Sequence, residues 1–347
     1  MTTSARTSTE RHVIAALPIA ANRLIGARTF LIDRAVPDCE YIELPSKMIA
    51  EAVLELERRV TCIPAVTASG RFAKLRRRLS PPDVASIAGP FHDCRRFSPQ
   101  NWAHLLNDQL PLHFYVCEHF DLDPTKVTML LPENMPGYGR RAVEMFGIPV
   151  LCTDAAVEGD ALISRYPFSS ALRGERAEWA AAKFPRSVVE KIVQHPAGHA
   201  KHIFLSRRDT RKVSNMGDIQ PILDRYGYVT IYPEALSAED QLRLFHEASH
   251  ILAIHGAGLA PLLYRQPDSA LKHLVEILPC GHMTDNFRVI AQRVNIGWTG
   301  LRGRIKPEYV QPAQSPETTF FNQFSLDDFE VDPVSLEAVL QISHAIN

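Results

Sequence analysis

No charge of one sign dominates this sequence, in which 38 Lys and Arg residues stand against 39 Asp and Glu residues. A chain so close to neutrality has no global positive field to gather nucleic acid, so we expect no nucleic-acid partner. Hydrophobic residues make up 46% of the chain and charged residues 22%, which excludes a disordered tail protein and a coiled-coil rod. At 347 residues the chain is expected to fold as two domains of roughly 150 residues each.

Paired cysteines and long hydrophobic runs are also lacking. The six cysteines are spread over the chain without a CxxC pair, which argues against a disulfide scaffold or a zinc ribbon and favours a reducing compartment. The longest apolar run near the N-terminus, residues 13–21, contains Pro18 and is too short to span a bilayer. We therefore expect a soluble, cytoplasmic protein without a transmembrane segment.

Three common nucleotide and hydrolase signatures are missing. The chain contains no GxGxxG, no GxxxxGK[ST] and no GxSxG. Rossmann dehydrogenase, P-loop NTPase and common esterase functions therefore lose their support.

Strand and helix patterns alternate in two parts of the chain, first over residues 127–152 and more clearly over residues 202–297. Such alternation predicts parallel sheets, whose ligands bind at the carboxyl ends of the strands. A helix is also predicted over residues 101–120, with a break or kink at Pro111. We predict an α/β fold of two Rossmann-like lobes with a cleft between them. The predicted boundaries are an N-terminal lobe at 1–160, a connection at 161–200, a C-terminal lobe at 201–330 and a closing helix at 331–347.

The sharpest local motif is His255-Gly256-Ala257-Gly258-Leu259, placed where an apolar strand ends and a helix is predicted to begin. Two glycines let a ligand approach the backbone, and a helix N-terminus offers N–H groups to a phosphate. This geometry suits a diphosphate. A tight turn that needs glycine for steric reasons alone is the alternative.

Two further features belong to the same predicted sheet. Arg207 and Arg208 follow a strand and can reach the same edge, where guanidinium groups match phosphate oxygens. Glu276 lies in an apolar strand near its carboxyl end and could accept both hydroxyls of a ribose. The alternatives are a solvated strand end for the arginines and an ion pair within the lobe for Glu276.

Asn101, His104 and Asp108 form a polar stripe on the predicted first-lobe helix, because spacings of three and four residues place them on one face. His104 or Asp108 could remove a proton from an acceptor hydroxyl while the other holds it in place. The sequence does not decide between them, and we favour Asp108 as the base. Helix capping by Asn101 and a buried His–Asp hydrogen bond form the alternative.

One motif points to a different function. His246, Glu247 and His250 match HExxH, the zinc motif of metallopeptidases. That motif needs a helix continuing through His250, yet residues 251–254 have the pattern of a buried strand. We therefore interpret the match as chance and keep a zinc metallopeptidase as an alternative function.

Taken together, four stretches resemble glycosyltransferase family 61: NWAHLLNDQLP at 101–111, FLSRRDTRKVSN at 204–215, HGAGL at 255–259 and VEILP at 275–279. They occur in the order found in the family, and the resemblance covers roughly residues 90–305. Residues 1–90 carry no such resemblance.

The resemblance implies a GT-B arrangement and an inverting transfer from a nucleotide sugar held mainly by the second lobe, without an essential metal or other cofactor. By carry-over, Arg207, Arg208 and the HGAGL turn would hold the donor diphosphate, and Glu276 would bind the ribose. Asn101, His104 and Asp108 would face a glycan acceptor. We expect transfer from a UDP-sugar in the synthesis of a surface polysaccharide or a similar glycan. A glycan- or nucleotide-binding module without turnover is a further alternative.

Overall fold

The computed structural model describes residues 9–14, 18–19, 47–48, 52–62, 84–96, 98–164, 184–279, 286–304 and 325–345. Several parts of the predicted segments lie outside these residues: residues 63–83 of the first lobe, 165–183 of the connection, 305–324 of the second lobe and 346–347 of the closing helix. The chain divides into two compact units, and the described residues up to 164 belong to unit one and those from 184 onward to unit two.

Unit one is built on a mixed sheet. Its strands are β1 (Thr9–Ile14), β4 (Ala52–Cys62), β5 (Val84–Asp93), β6 (Thr128–Leu131), β7 (Val150–Cys152) and β8 (Ala156–Ser164), in the order β1-β4-β8-β5-β6-β7. Strands β8, β5, β6 and β7 run parallel, whereas β1 and β4 pair antiparallel at one side. Two short strands, β2 (Pro18–Ile19) and β3 (Lys47–Met48), pair with each other.

The predicted helix at 101–120 forms, but with an internal change of geometry. It begins as an α-helical turn at Trp102–His104, widens into a π turn at Leu105–Gln109 and continues as an α-helix at Leu110–His119. We call the whole segment α1. The irregularity thus precedes Pro111, which stands where the π turn passes into the last α-helical section and has no N–H to donate to the turn before it. Helix α2 (Gly137–Met145) completes the unit.

Unit two contains a five-stranded, wholly parallel sheet. Its strands are β9 (His202–Leu205), β10 (Val229–Ile231), β11 (His250–Ile254), β12 (His273–Leu278) and β13 (Gly297–Arg302), in the order β10-β9-β11-β12-β13. Its helices are α3 (Phe184–Val193), α4 (Met216–Arg225), α5 (Ala238–Glu247), α6 (Asn286–Arg293) and α7 (Pro333–Ala345). A 3₁₀ helix spans Ala257–Tyr264.

The central strands of unit two are buried over their whole length. Every residue of β11 and β12 is buried, which explains why both sequences are almost continuously apolar. One face of the sheet packs against α4 and α7, and its core includes Phe204, Leu252 and Val275. The hydroxyl of Ser237 accepts a hydrogen bond from the N–H of Asp240 and so fixes the start of α5.

The α/β prediction is confirmed, since parallel strands occur in the larger sheet of each unit. Within the described part of the chain, no helix has the length and the hydropathy required to cross a membrane.

Candidate active site

The carboxyl edge of the sheet in unit two collects the motifs that the sequence singled out. Ser206 follows β9 and donates its N–H to the carbonyl of Ile231, at the end of β10, at 3.0 Å. His255 follows β11 and donates its N–H to the carbonyl of Ile277 in β12 at 2.8 Å. The two loops therefore start at the same edge, which is where parallel sheets bind ligands.

Arg207 and Gly256 are in direct contact. A Cβ atom added to Gly256 would overlap Nη1 of Arg207, so only glycine leaves room for the guanidinium. The Arg207 Nε atom donates to the carbonyl of Thr210 at 2.9 Å, and the Arg207 side chain is 23% exposed. The arginine is thus fixed on its own loop and lies over the glycine of the neighbouring one.

The end of strand β10 supplies residues that the sequence did not single out. The guanidinium of Arg208 lies 4.0 Å from the centroid of the Tyr232 ring and 4.0 Å from a carboxylate oxygen of Glu234. A Cβ atom on Gly258 would come within 2.7 Å of Pro233, so the HGAGL turn packs tightly against this segment. No motif marks Tyr232 or Pro233, whose place follows from strand order alone.

A third arginine joins the basic group. Burial, together with the nearby charge of Arg207, lowers the pKa of Arg211 to about 10, and Asp209 partly offsets the effect. Arg211 therefore remains protonated at neutral pH, and its Nε donates to the carbonyl of Ser325 at 2.5 Å. The signal for Arg211 was present in the sequence as the third arginine of RRDTR.

His255 and Glu276 form a buried pair beneath the edge. Nδ1 of His255 lies 2.6 Å from Oε1 of Glu276, while Nε1 of Trp298 donates to Oε2 at 2.8 Å. Glu276 has no exposed surface. Glu276 thus accepts hydrogen bonds inside the unit and orients His255, which agrees with the alternative of an internal pair that the sequence offered. The contact of Glu276 with a ribose stays a prediction.

The HGAGL turn opens a 3₁₀ helix instead of the predicted α-helix. Leu259 donates its N–H to the carbonyl of Gly256 at 3.1 Å, and Pro261 lies inside the helix. The side chain of Leu259 is buried, so its role is packing. Ala257 and Gly258 stay partly exposed, so a ligand can approach this part of the turn.

In unit one, Asn101, His104 and Asp108 come together at the start of α1. The side-chain oxygen of Asn101 accepts hydrogen bonds from the N–H groups of Ala103 and His104 at 2.9 and 3.4 Å, as an N-cap does. Nδ1 of His104 lies 3.1 Å from Oδ2 of Asp108. The His104 side chain is 38% exposed and the Asp108 side chain 7%, so the histidine is the accessible member of the pair.

The HExxH stretch does not form a zinc-peptidase site. Helix α5 ends at Glu247 because Ala248 adopts extended backbone angles, and His250 begins β11. Both carboxylate oxygens of Glu247 accept backbone N–H groups, from Ala197 at 2.8 Å and from His199 at 2.7 Å. The two histidines are therefore not one helical turn apart, and the interpretation of the motif as chance agrees with the structure.

Comparison with known proteins identifies the class of the chain. The sequence model of the family described as Glycosyltransferase 61 matches residues 102–271. That stretch includes the HGAGL turn, the predicted pair Arg207 and Arg208, and the His104–Asp108 pair. Over these residues the chain belongs to glycosyltransferase family 61, which supports glycosyltransferase activity. A search of curated proteins finds no match.

Proposed function

We propose that the chain is an inverting glycosyltransferase that moves a sugar from a nucleoside diphosphate, UDP, to a hydroxyl of a glycan. The observation that carries the proposal is the contact of Arg207 with Gly256, because it joins the arginine motif and the HGAGL turn at one edge of a parallel sheet. Guanidinium groups beside accessible backbone N–H groups form a site for a diphosphate.

The charge of the leaving group determines what the site must do. When the bond between the sugar C1 and the phosphate oxygen breaks, UDP leaves with the electron pair and gains negative charge. Arg207, Arg208 and Arg211 would stabilise that charge through their fixed positive charges, without an essential metal ion. We retain the GT-B arrangement in this proposal, with the donor on unit two and the acceptor-side groups on unit one.

The His104–Asp108 pair would activate the acceptor. Its base takes the proton of the acceptor hydroxyl while the oxygen attacks C1 from the side opposite UDP, which inverts the configuration. The sequence does not decide between them, and our prediction from it is Asp108 as the base. The greater exposure of His104, however, favours the histidine as the group that meets the hydroxyl, oriented by Asp108. Asn101 would keep its place as the cap of α1 on the acceptor side.

The biological setting proposed is the synthesis of a surface polysaccharide or a similar glycan in the cytoplasm. A binding module without turnover remains the competing function, and it requires the same diphosphate site. Sugar transfer or donor hydrolysis distinguishes the enzyme from the binding module. Tight UDP binding without transfer and without hydrolysis would support the binding module.

The test is a thermal-shift screen of UDP, GDP, CMP and dTDP with and without EDTA, since a ligand of the folded state raises the melting temperature. We expect a UDP-specific shift that EDTA does not change and that Arg207→Ala weakens. Arg186→Ala is the matched control, because Arg186 is an exposed arginine of the same unit that pairs with Glu190 on α3. Unchanged UDP affinity in Arg207→Ala would remove Arg207 from the donor site.

A further inference from the structure

Three neighbouring strands of the sheet in unit two begin with histidine. His202, His250 and His273 are the first residues of β9, β11 and β12, and the register pairs His250 with both of the others. Paired residues of parallel strands point to the same face, here the face covered by α4 and α7. Helix α7 brings a fourth histidine, His344, to this amino edge of the sheet.

Three of these rings form a close cluster. His202, His250 and His344 can each offer one ring nitrogen such that the three atoms lie within 4.8 Å of one another. The rings of His250 and His344 stack with centroids 4.6 Å apart, and the ring of His202 stands edge-on to both, at 5.3 and 4.5 Å.

Hydrogen bonds hold one nitrogen of each ring against an oxygen. Nδ1 of His202 donates to the carbonyl of Tyr226 at 2.7 Å, and Nε2 of His250 donates to the carbonyl of Ser343 at 3.2 Å. Nε2 of His344 pairs with the Tyr228 hydroxyl at 3.2 Å. Histidines that bind metals are oriented in this way by a partner at one nitrogen. Nδ1 of His250 lies 3.1 Å from Oγ of Ser249, so an ion at this nitrogen would have to displace that hydroxyl.

We propose that His202, His250 and His344 bind one divalent transition-metal ion, with zinc as the reference ion. Imidazole nitrogen suits Zn²⁺, and three histidines with one open position are a known coordination set. His202 and His344 are partly exposed, which leaves a route for the ion.

The ion would fasten helix α7 to the amino edge of the sheet. His344 lies in the last turn of that helix, 94 residues along the chain from His250. The strands separate this edge from the proposed donor site by about 15 Å, taking four to five residues at about 3.3 Å each. The metal would therefore act in stability and not in sugar transfer.

The test is metal binding by the whole chain after removal of metals with a chelator. Equilibrium dialysis against Zn²⁺ should give one ion per chain, and added Zn²⁺ should raise the melting temperature. His344→Gln and His202→Gln should each weaken Zn²⁺ binding at least tenfold. His195→Gln is the matched control, because His195 is an exposed histidine of the same unit, and it should bind zinc as the unmodified chain does.

Two results would overturn the site: no stoichiometric zinc on the unmodified chain, or zinc binding by the His344→Gln and His202→Gln variants that equals that of the unmodified chain. The UDP-induced thermal shift of each variant, measured in the same samples, reports whether it is folded. That shift also separates this proposal from the proposed function, since loss of zinc binding with the UDP shift retained concerns only the histidines.

Discussion

The two edges of the sheet in unit two carry different cationic side chains. The carboxyl edge has Arg207, Arg208 and Arg211, whose charge does not change at physiological pH. The amino edge has His202 and His250, joined by His344 of α7, and burial lowers the pKa of the last two. Strand β9 therefore begins with a histidine of the cluster and is followed by all three arginines, so the two ligands proposed above, a metal ion and a diphosphate, would bind at opposite edges of one sheet.

The largest effect is expected from removing the acid that supports the carboxyl edge. Glu276→Ala leaves His255 and Trp298 without their acceptor in a site with no exposure, and should lower the free energy of unfolding by about 3 kcal/mol. Chemical denaturation measures the loss, with exposed Asp268→Ala as the control. An equally small loss in both variants would contradict a supporting role for Glu276.

Glu276→Gln sharpens that test. The amide keeps the shape of the carboxylate and can still accept from Trp298. If Glu276 binds the ribose, this variant should lose UDP affinity while losing less stability than Glu276→Ala. If Glu276 acts through His255 alone, affinity and stability should fall together.

The second prediction concerns His92 and His113 of unit one, two buried histidines that lie outside the cluster of unit two. They test whether burial alone keeps a histidine neutral. Burial lowers the pKa of His92 to about 4 and that of His113 to about 3. The unfolded chain, with pKa values near 6.5, then takes up protons first as the pH falls. The stability that the two buried neutral histidines contribute is fully present above pH 6.5 and is lost as the pH falls toward 4.

Between pH 7 and pH 5 the loss should be about 2 kcal/mol for His92 alone, seen as a lower free energy of unfolding at pH 5. The double variant His92→Phe, His113→Phe should show a flatter pH dependence, whereas exposed His195→Gln should keep that of the unmodified chain. The same slope in all three proteins would assign the acid sensitivity to other groups.

A third prediction concerns the contact that joins the two motifs of the carboxyl edge. Gly256→Ala forces the Arg207 guanidinium away and should weaken UDP binding about tenfold, in line with the loss of one charged hydrogen bond. The double variant with Arg207→Ala should be little worse than either single change, because both remove the same interaction. Gly217→Ala, where the added methyl meets open space, is the control for calorimetric titration with UDP. Unchanged affinity in Gly256→Ala would contradict the role of the contact.

The smallest effect is expected at Arg208. Its side chain is 63% exposed and stacks on Tyr232, so Arg208→Ala should weaken UDP binding roughly two- to fivefold. The melting temperature without ligand should hardly change, since exposed substitutions have small effects. A loss as large as that of Arg207→Ala would place Arg208 beside Arg207 as a main phosphate ligand.

The alternation of unit two was predictable because its strands are short, buried and separated by helices with clear apolar faces. The approach of the loops after β9 and β11 followed from the rule for parallel strand ends. Trp298 and Tyr232 were not predictable, because their contacts depend on which strands pair. The histidine cluster was missed for the same reason: the sequence associated His250 with His246, four residues away, whereas the sheet places it beside His202 and His344.

The π turn at Leu105–Gln109 has a consequence for how the acceptor-side pair could change. A π turn holds one residue more than the α-helix around it. Because the wide turn absorbs the extra residue, deleting one residue there would let the helix run regularly, while Trp102–His104 and Leu110–His119 would keep nearly the same relative orientation. Asp108 lies inside the turn and His104 immediately before it, so the deletion would change the geometry of this pair and leave the flanking helix in place. A change of one codon could therefore alter the pair without unfolding the helix.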